Sequence, residues 1–326
     1  KGMLSKNNDS ALHYLSRSTE KVSSDIQFDV SNNSLDSAPI FAYLEYAKLL
    51  RKNNKIDKAQ ENLKYFEESL GQSLNEEWRK TLKRENDICE TAKLLIANPV
   101  NINITNLDKV NSKYPEYGPV LSADEQTMIF TSRRKLKTGN GNQPKDLIDF
   151  KYFEDIYISK KDNEGKWGEP KLISDKINTS GHEATIGLSV DGQQLLIYSA
   201  QEDPQGDIYY SRLDGKDWSK PVPFQALNSK ASETHACFSA DGKTIFFTSN
   251  RKGGYGGYDI YRVTMLPNGE WSKPLNLGPK INTEFDDRAP FIHPDGKTMY
   301  FSSKGHNSMG GFDIFYTYLS ENGWDE

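Results

Sequence analysis

The 326-residue sequence contains only two cysteines, Cys89 and Cys237. Two cysteines are too few for a disulfide scaffold or a cysteine-based zinc fold. No stretch approaches the roughly 20 apolar residues that a membrane-spanning helix requires. The net charge of −5 argues against a general nucleic-acid-binding domain, because such domains are usually basic. The aromatic content of 11% is too high for a disordered chain, and the length predicts two domains or a repeat domain with an extra segment.

The first hundred residues carry apolar side chains at helical spacing. The pattern predicts three helices that begin near residues 38, 57 and 73, with Ser37 as the cap of the first. Ala47 and Ala59 fall on facing sides of a helix hairpin, where small side chains allow close approach. This arrangement resembles a tetratricopeptide repeat and implies a solenoid that binds a partner. An ordinary helix hairpin that packs on its neighbour is the alternative.

From residue 101 onward, four features recur in a fixed order. Each unit has an Asp-Gly-type turn, a β-branched and aromatic run, an Asp-Ile-Tyr or Asp-Ile-Phe triplet, and a tryptophan. The triplet aspartates are Asp155, Asp207, Asp259 and Asp313, and the tryptophans are Trp167, Trp218, Trp271 and Trp324. A period of about 50 residues with four strand signals per unit indicates a β-propeller. The fold class is therefore multidomain α and β. The sequence predicts a helical domain over residues 1–98 and a propeller over 99–326, with blades at 114–180, 181–232, 233–285 and 286–326.

The number of predicted blades suggests an incomplete ring. Four blades are the low end for closure, and the register stops at Trp324. We therefore expect a chain truncated at its C-terminus, within a ring of about six blades. Residues 100–104 alternate apolar and polar side chains, and we expect them to form the strand that completes the last blade.

Propeller geometry places the loops between strands four and one, and between strands two and three, on one face. The polar residues predicted there, as candidates to face a partner or ligand, are Arg133, Arg134, His182, Glu183, Glu233, His235, Arg251, Asp287 and Arg288. They would either bind a ligand or cation at the mouth of the central channel, or cap strand ends and bridge blades.

No feature of this face indicates catalysis. His182 and His235 lack the short spacing of a zinc motif, and the sequence has no Gly-x-Ser-x-Gly nucleophile elbow. We expect both cysteines to be buried packing thiols and the triplet aspartates to form hydrogen bonds inside each blade. The chain is predicted to be no enzyme, with no cofactor and no metal.

Several motifs carry a family resemblance. They are residues 111–114, Gly118-Pro119, residues 130–134, residues 301–315, and the Lys-Ile-Asn-Thr connectors at 176–179 and 280–283. These motifs are similar to the TolB-like and WD-like propeller repeats of bacterial envelope proteins. They resemble most closely the OmpA-family envelope proteins of the Bacteroidetes, in which tetratricopeptide helices precede the propeller, as in PorE-like components of the type IX secretion system.

The resemblance implies a non-catalytic periplasmic scaffold associated with the outer membrane, with a lipoprotein anchor outside this chain. Its expected partners are envelope or secretion-system proteins, with no nucleic acid and no membrane-spanning segment. Peptidoglycan would be bound only through a further domain of the family that these residues do not include. The alternative is a glycan- or small-ligand-binding propeller, or a hydrolytic one, with its site at the channel mouth.

Overall fold

A computed structural model describes residues 8–23, 38–136, 145–147, 149–200, 206–320 and 323–324. The chain divides into two compact units, one comprising residues 1–102 and 307–311 and the other residues 103–306 and 312–326. The predicted cap Ser37 and part of the blade-one insertion, residues 137–144 and 148, lie outside the described residues. Within those residues, no helix combines the length and the apolar character that a membrane span requires.

The first unit is helical. Its elements are α1 (Asn8–Ser18), β1 (Val22–Ser23), β2 (Ala38–Pro39), α2 (Phe41–Lys52), α3 (Ile56–Leu70), a 3-10 helix (Gly71–Ser73) and α4 (Glu76–Ala97). The hairpin of α2 and α3 buries Ala47 and Ala59, as the small-residue pattern predicts. The two helices close around Leu50, Leu63 and Phe66, each at most 1% exposed. The hairpin is present, and its assignment to a tetratricopeptide repeat stays a prediction.

The helix starts differ from those predicted. Helix α2 begins at Phe41 because Pro39 belongs to the two-residue strand β2, which pairs with β1. Helix α3 begins at Ile56, ahead of the expected capping residue Asp57. Helix α4 is capped by Asn75, whose side chain accepts a hydrogen bond from the Trp78 N–H at 2.9 Å.

The second unit contains four antiparallel sheets that follow one another along the chain, so the predicted four blades are confirmed. Blade 1 consists of β3 (Glu116–Leu121), β4 (Thr127–Ser132), β5 (Asp155–Lys160) and β6 (Lys171–Leu172). Blade 2 consists of β7 (Glu183–Leu188), β8 (Gln194–Ser199), β9 (Asp207–Asp214), β10 (Asp217–Trp218) and β11 (Val222–Pro223). Blade 3 consists of β12 (Glu233–Phe238), β13 (Thr244–Ser249), β14 (Asp259–Thr264) and β15 (Leu275–Asn276). Blade 4 consists of β16 (Asp287–Ile292), β17 (Thr298–Ser303), β18 (Asp313–Ser320) and β19 (Gly323–Trp324).

The turn between the first two strands of each blade follows the predicted chemistry. Gly192, Gly242 and Gly296 have φ angles of 69°, 68° and 70°, which is the region that glycine enters without steric cost. In blade 1 Glu125 stands at this position and takes a φ of 56°. The turn geometry is therefore kept in blade 1 at the expense of backbone strain.

Consecutive blades pack face to face through apolar side chains. The first strands β3, β7, β12 and β16 are neighbours in that order. One face of blade 3 places Phe246 and Ile260 against Ile292, Met299 and Phe301 of blade 4. All of these side chains are at most 7% exposed. The β-branched and aromatic runs of the sequence therefore form the cores between blades.

Residues 100–104 do not complete a blade, and this expectation is wrong. They form no strand, and Val100, Ile102 and Ile104 are 76%, 67% and 94% exposed. The fourth strands are also shorter than the repeat suggested. Trp167 and Trp271 form only isolated bridges, to Lys161 and Met265, and a two-residue strand follows each of them.

Candidate functional site

The four blades bring a carboxylate, a serine and an aspartate together at the same end of each sheet. The first residue of strand one, the last residue of strand two and the first residue of strand three are direct neighbours across the ladder. These triplets are Glu116–Ser132–Asp155, Glu183–Ser199–Asp207, Glu233–Ser249–Asp259 and Asp287–Ser303–Asp313. The prediction that Glu183, Glu233 and Asp287 occupy equivalent positions is confirmed.

Glu233 shows the contacts of this carboxylate most fully. It is completely buried and accepts hydrogen bonds from the Ser229 N–H at 3.0 Å and the Ser229 hydroxyl at 2.8 Å. The Ser249 hydroxyl donates at 2.6 Å, and Arg251 donates through Nη2 at 3.1 Å. A buried carboxylate is tolerated only when it is paired and hydrogen-bonded, as it is here.

Arg251 is held by its own blade. Its Nε donates to the Ser249 hydroxyl at 3.0 Å, and its Nη2 also donates to the Leu227 carbonyl at 2.6 Å. The guanidinium lies over the rings of Phe247 and Tyr261, 4.9 and 5.1 Å from their centroids. These contacts fix the cation in place, so little of its hydrogen-bonding capacity faces a ligand.

Blade 1 repeats the arrangement with Arg134 and Glu116. The Arg134 Nη2 lies 3.0 Å from the Glu116 carboxylate, and the guanidinium lies over Phe130 and Tyr157. Burial acts to raise the pKa of Glu116, but hydrogen bonds from Ser112 and Ser132 and the charge of Arg134 outweigh it and lower the pKa. The carboxylate is thus held in its charged form.

Blades 2 and 4 keep the carboxylate without the arginine. Thr179 donates to Glu183 from its hydroxyl at 2.6 Å, and Thr283 donates to Asp287 from its hydroxyl at 2.9 Å. Gly305 occupies the arginine position in blade 4, and the corresponding Gln201 of blade 2 lies outside the described residues. Burial raises the pKa of Asp287, although the hydrogen bonds from Ser303 and Thr283 oppose this shift.

Arg133 and His182 meet in a charged group at the end of blade 1. Arg133 is 8% exposed, and its Nη1 lies 2.6 Å from Asp149 and 3.5 Å from Glu154. His182 contacts Glu154 through Nδ1 and approaches Asp146 through Nε2 at 3.4 Å. Burial lowers the pKa of His182 by more than the Asp146 charge raises it. Two of the predicted residues are therefore brought together, by carboxylates that the sequence pattern did not single out.

His235 and Arg288 form a second pair of predicted residues that face each other across blades 3 and 4. Burial and the charge of Arg288 lower the pKa of His235 to about 4, so its imidazole is neutral at physiological pH. The Arg288 guanidinium lies 3.7 Å from the centroid of Tyr258 and donates to Asp286 at 3.1 Å. Arg288 therefore bridges neighbouring blades instead of standing free in the channel.

The aspartate of the recurrent triplet acts inside the blade, as expected. Asp259 accepts hydrogen bonds from the N–H groups of Tyr255 and Gly256 at 2.6 and 3.0 Å, and from the Asn276 amide at 2.7 Å. In blade 1, burial and the neighbouring Glu183 raise the pKa of Asp155 to about 6. The same position is thus satisfied in one blade and electrostatically costly in another.

The described residues contain no cluster of histidine, cysteine and carboxylate side chains suited to a metal ion. Both cysteines are free thiols and buried, and burial raises the pKa of Cys237 to about 12, which disfavours a nucleophilic thiolate. An open groove of about 590 Å³ lies between blades 2 and 3, lined by Tyr210, Arg212, Phe224 and Trp271 among others. None of the predicted site residues lines this groove.

Two recurrent features of the site were not identified from the sequence as site residues. The first is the hydroxyl residue four positions before each carboxylate, which caps it from the connector. The second is the connector asparagine: Asn178, Asn228 and Asn282 bind the backbone of Ile156, Ile208 and Ile260. The signal was present in the repeated apolar–Asn–Ser/Thr motif, which served only as a sign of resemblance.

Comparisons with known proteins place the chain near solved propellers. TolB from Acinetobacter baumannii is 20% identical with a TM-score of 0.40, over 65% of this chain and 42% of that one. A putative TolB from Agrobacterium tumefaciens is 19% identical with a TM-score of 0.39, over 66% of this chain and 80% of that one. A gluconolactonase from Xanthomonas campestris is 13% identical with a TM-score of 0.37, over 57% of this chain and 52% of that one.

These likenesses assign neither a family nor an activity, because the TM-scores are below 0.5. The chain spans less than half the length of the Acinetobacter protein. No family model matches the sequence, and no curated protein matches it.

Proposed function

We propose that this chain is a non-catalytic scaffold of the bacterial envelope that binds protein partners through the loops of a β-propeller. The proposed location is the periplasm in association with the outer membrane, and the proposed assembly is the type IX secretion machinery. The family, the partner and the location come from the motif resemblance of PorE-like and TolB-like proteins. The structural observation that carries the non-catalytic part is the saturation of Glu233.

The polar residues at the blade ends are committed to the fold. The carboxylate of Glu233 is fully buried and receives four hydrogen bonds from its own blade and connector. A catalytic acid or base needs an open route to the proton that it transfers. Neither Glu233 nor the buried thiol of Cys237 offers one, which supports a structural role for this ring of residues.

A surface suited to a protein partner lies at the same end of blades 3 and 4. It consists of Tyr255, Tyr258, Arg288, Lys304 and Phe312, which we call the aromatic–cation patch. The Phe312 ring is 44% exposed and lies 4.8 Å from the Lys304 ammonium, and the Tyr255 side chain is 53% exposed. Tyrosine and arginine are enriched at the energetic centres of protein interfaces, and loops on a rigid frame commonly carry recognition.

A photocrosslinking residue at Lys252, which is exposed in the loop beside this patch, tests the proposal in the cells that make the protein. Position Asn268 is the matched control, because it is exposed in the turn at the opposite end of blade 3. We expect crosslinks from position 252 to an outer-membrane or secretion component, reduced by Phe312→Ala. Equal crosslinking from both positions, or crosslinks only to unrelated proteins, would remove the support for the proposed partner.

The alternative is a propeller that binds or hydrolyses a glycan or another small ligand. It is favoured by the Arg133–His182 group, where a half-exposed imidazole lies among Glu154, Asp146 and Asp149. Glycan binding that is lost in His182→Ala or in His235→Ala, with the melting temperature unchanged, would establish this alternative. Loss of the fold in Glu233→Ala without any ligand would instead agree with the scaffold.

A further inference from the structure

In each of the first three blades, the third strand is bound by the segment that leaves the fourth strand. In blade 3 the Asn282 side chain accepts from the Ile260 N–H at 2.7 Å and donates to the Ile260 carbonyl at 2.9 Å. The Leu277 N–H donates to the same carbonyl at 3.1 Å. The isoleucine peptide is therefore bound by three hydrogen bonds from one short connector.

The same three bonds occur in blades 1 and 2. Asn178 with Ile173 binds Ile156, and Asn228 with Phe224 binds Ile208. An apolar residue precedes each asparagine and is fully buried: Ile177, Leu227 and Ile281 are all 0% exposed. The bound isoleucines Ile156, Ile208 and Ile260 are also 0% exposed. The outer-strand-and-connector segment thus covers its blade with one side chain and binds its backbone with the next.

Blade 4 carries the same receiving surface uncovered. Ile314 is the equivalent of Ile260, and its side chain is 79% exposed. Around it, Phe291 and Tyr316 are 54% and 60% exposed, whereas the equivalent Cys237 of blade 3 is 7% exposed. The edge of β18 is also free beside Ile314 within the described residues, because β19 pairs only with Leu319 and Ser320.

We propose that this face of blade 4 is a docking site for an extended segment of the outer-strand-and-connector type. The segment would add a strand to β18 at Phe315 and Tyr316, where β15 adds to Tyr261 and Arg262 in blade 3. It would then place an apolar residue on Phe291 and Ile314, and an asparagine on the Ile314 peptide. The occupant is therefore an extended polypeptide with an apolar–Asn–Ser/Thr sequence after a short β-strand.

The argument for this occupant is continuity with interfaces that the chain already contains. Three blades accept the same segment at the same strand, with the same asparagine contacts and the same buried apolar residue. A peptide N–H and carbonyl that flank one residue on a strand edge match the two functions of an asparagine amide. The inference depends on the fold alone and stands independently of the proposed function.

The test uses a synthetic peptide with the sequence of residues 273–284, the chain's own segment that covers blade 3. It is added in excess to the intact chain, and amide hydrogen exchange is followed at Ile314 and at Ile260. We expect exchange at Ile314 to slow on the order of tenfold, since a bound amide is protected from solvent, and exchange at Ile260 to stay unchanged. A peptide with Asn282→Ala should lose most of this effect.

Two further measurements keep the test decisive. The chain variant Ile314→Lys, at an exposed position that should leave the fold intact, should abolish peptide binding with an unchanged melting temperature. The proposal is overturned if Ile314 exchange is unaffected at millimolar peptide, or if the Asn282→Ala peptide protects it equally. It is also overturned if Ile314 is protected without peptide and loses protection on dilution, because a second copy of the chain would then occupy the face.

Discussion

The side chain of Asn282 holds the backbone of Ile260 on both sides, through an acceptor contact of 2.7 Å and a donor contact of 2.9 Å. Both residues are at most 1% exposed, so the bonds form away from water. The connector between blades 3 and 4 is therefore fastened to the third strand of blade 3. Equivalent bonds in the first two blades make this contact a repeated element of the fold.

Replacing Asn228 by alanine should destabilise the chain by about 2 kcal/mol, because the N–H and carbonyl of buried Ile208 lose their partners. The free energy of unfolding in urea measures this change. Asn111→Ala is the matched control, since the Asn111 amide donates to the Asn106 side chain and not to a strand. We expect less than about 0.5 kcal/mol for the control. Equal losses in both variants would contradict the role of the connector asparagine.

Replacing Glu125 by glycine should stabilise the chain by about 1 kcal/mol. Glu125 has a φ of 56° in a turn where the other three blades place glycine, so the substitution relieves strain in the folded chain. The greater flexibility of glycine in the unfolded chain offsets part of this gain. The reverse change, Gly242→Ala, should lower the melting temperature. A fall in stability for Glu125→Gly would show that the turn is not strained.

The neutral state of His235 predicts a loss of stability in mild acid. Burial and Arg288 lower its pKa to about 4, below the ordinary value of 6.5, so the unfolded chain binds the proton more readily. This contribution is complete above pH 6.5 and is lost as the pH falls toward 4, by roughly 2 to 3 kcal/mol. His235→Gln should flatten the stability profile between these pH values. An unchanged profile in the variant would assign the acid sensitivity to other groups.

Asp155 predicts a pH dependence of the opposite sign. Its pKa is raised to about 6 by burial and by Glu183, so ionisation in the folded chain becomes unfavourable as the pH rises from 3.8 through 6. Asp155→Asn should therefore stabilise the chain above pH 6, by about 1 to 3 kcal/mol, and have little effect at pH 4. Asp259→Asn should destabilise instead, because it weakens the acceptor for Tyr255 and Gly256. A loss in both variants would exclude the proposed cost at Asp155.

The sequence predicted the blades well because their signals are local. Each Asp-Gly turn and each aromatic run is fixed by nearby residues, and the four registers agree with the four sheets. The placement of Glu233 and Asp287 at strand starts also followed from the repeat. Residues 100–104 show the limit of this reasoning, because strand alternation cannot say which sheet edge, if any, a segment meets.

The details of the candidate site depended on contacts that no local pattern encodes. Arg133 meets Asp149 and Glu154 because an insertion folds back on blade 1, and the position of a long loop cannot be read from its composition. The pairing of His235 with Arg288 arises because β12 and β16 are neighbours in space. The tetratricopeptide assignment and the partner-facing role of the nine candidate residues stay predictions.

The central claim is that the polar residues at the blade ends hold the fold together instead of forming a reactive site. A double-mutant cycle on Glu233 and Arg251, which lie 3.1 Å apart, tests it most directly through the free energy of unfolding. We predict that Glu233→Ala costs about 3 to 5 kcal/mol, and that its coupling to Arg251→Ala is at least about 1.5 kcal/mol. A coupling near zero, with the Glu233→Ala variant as stable as the original chain, would contradict the account.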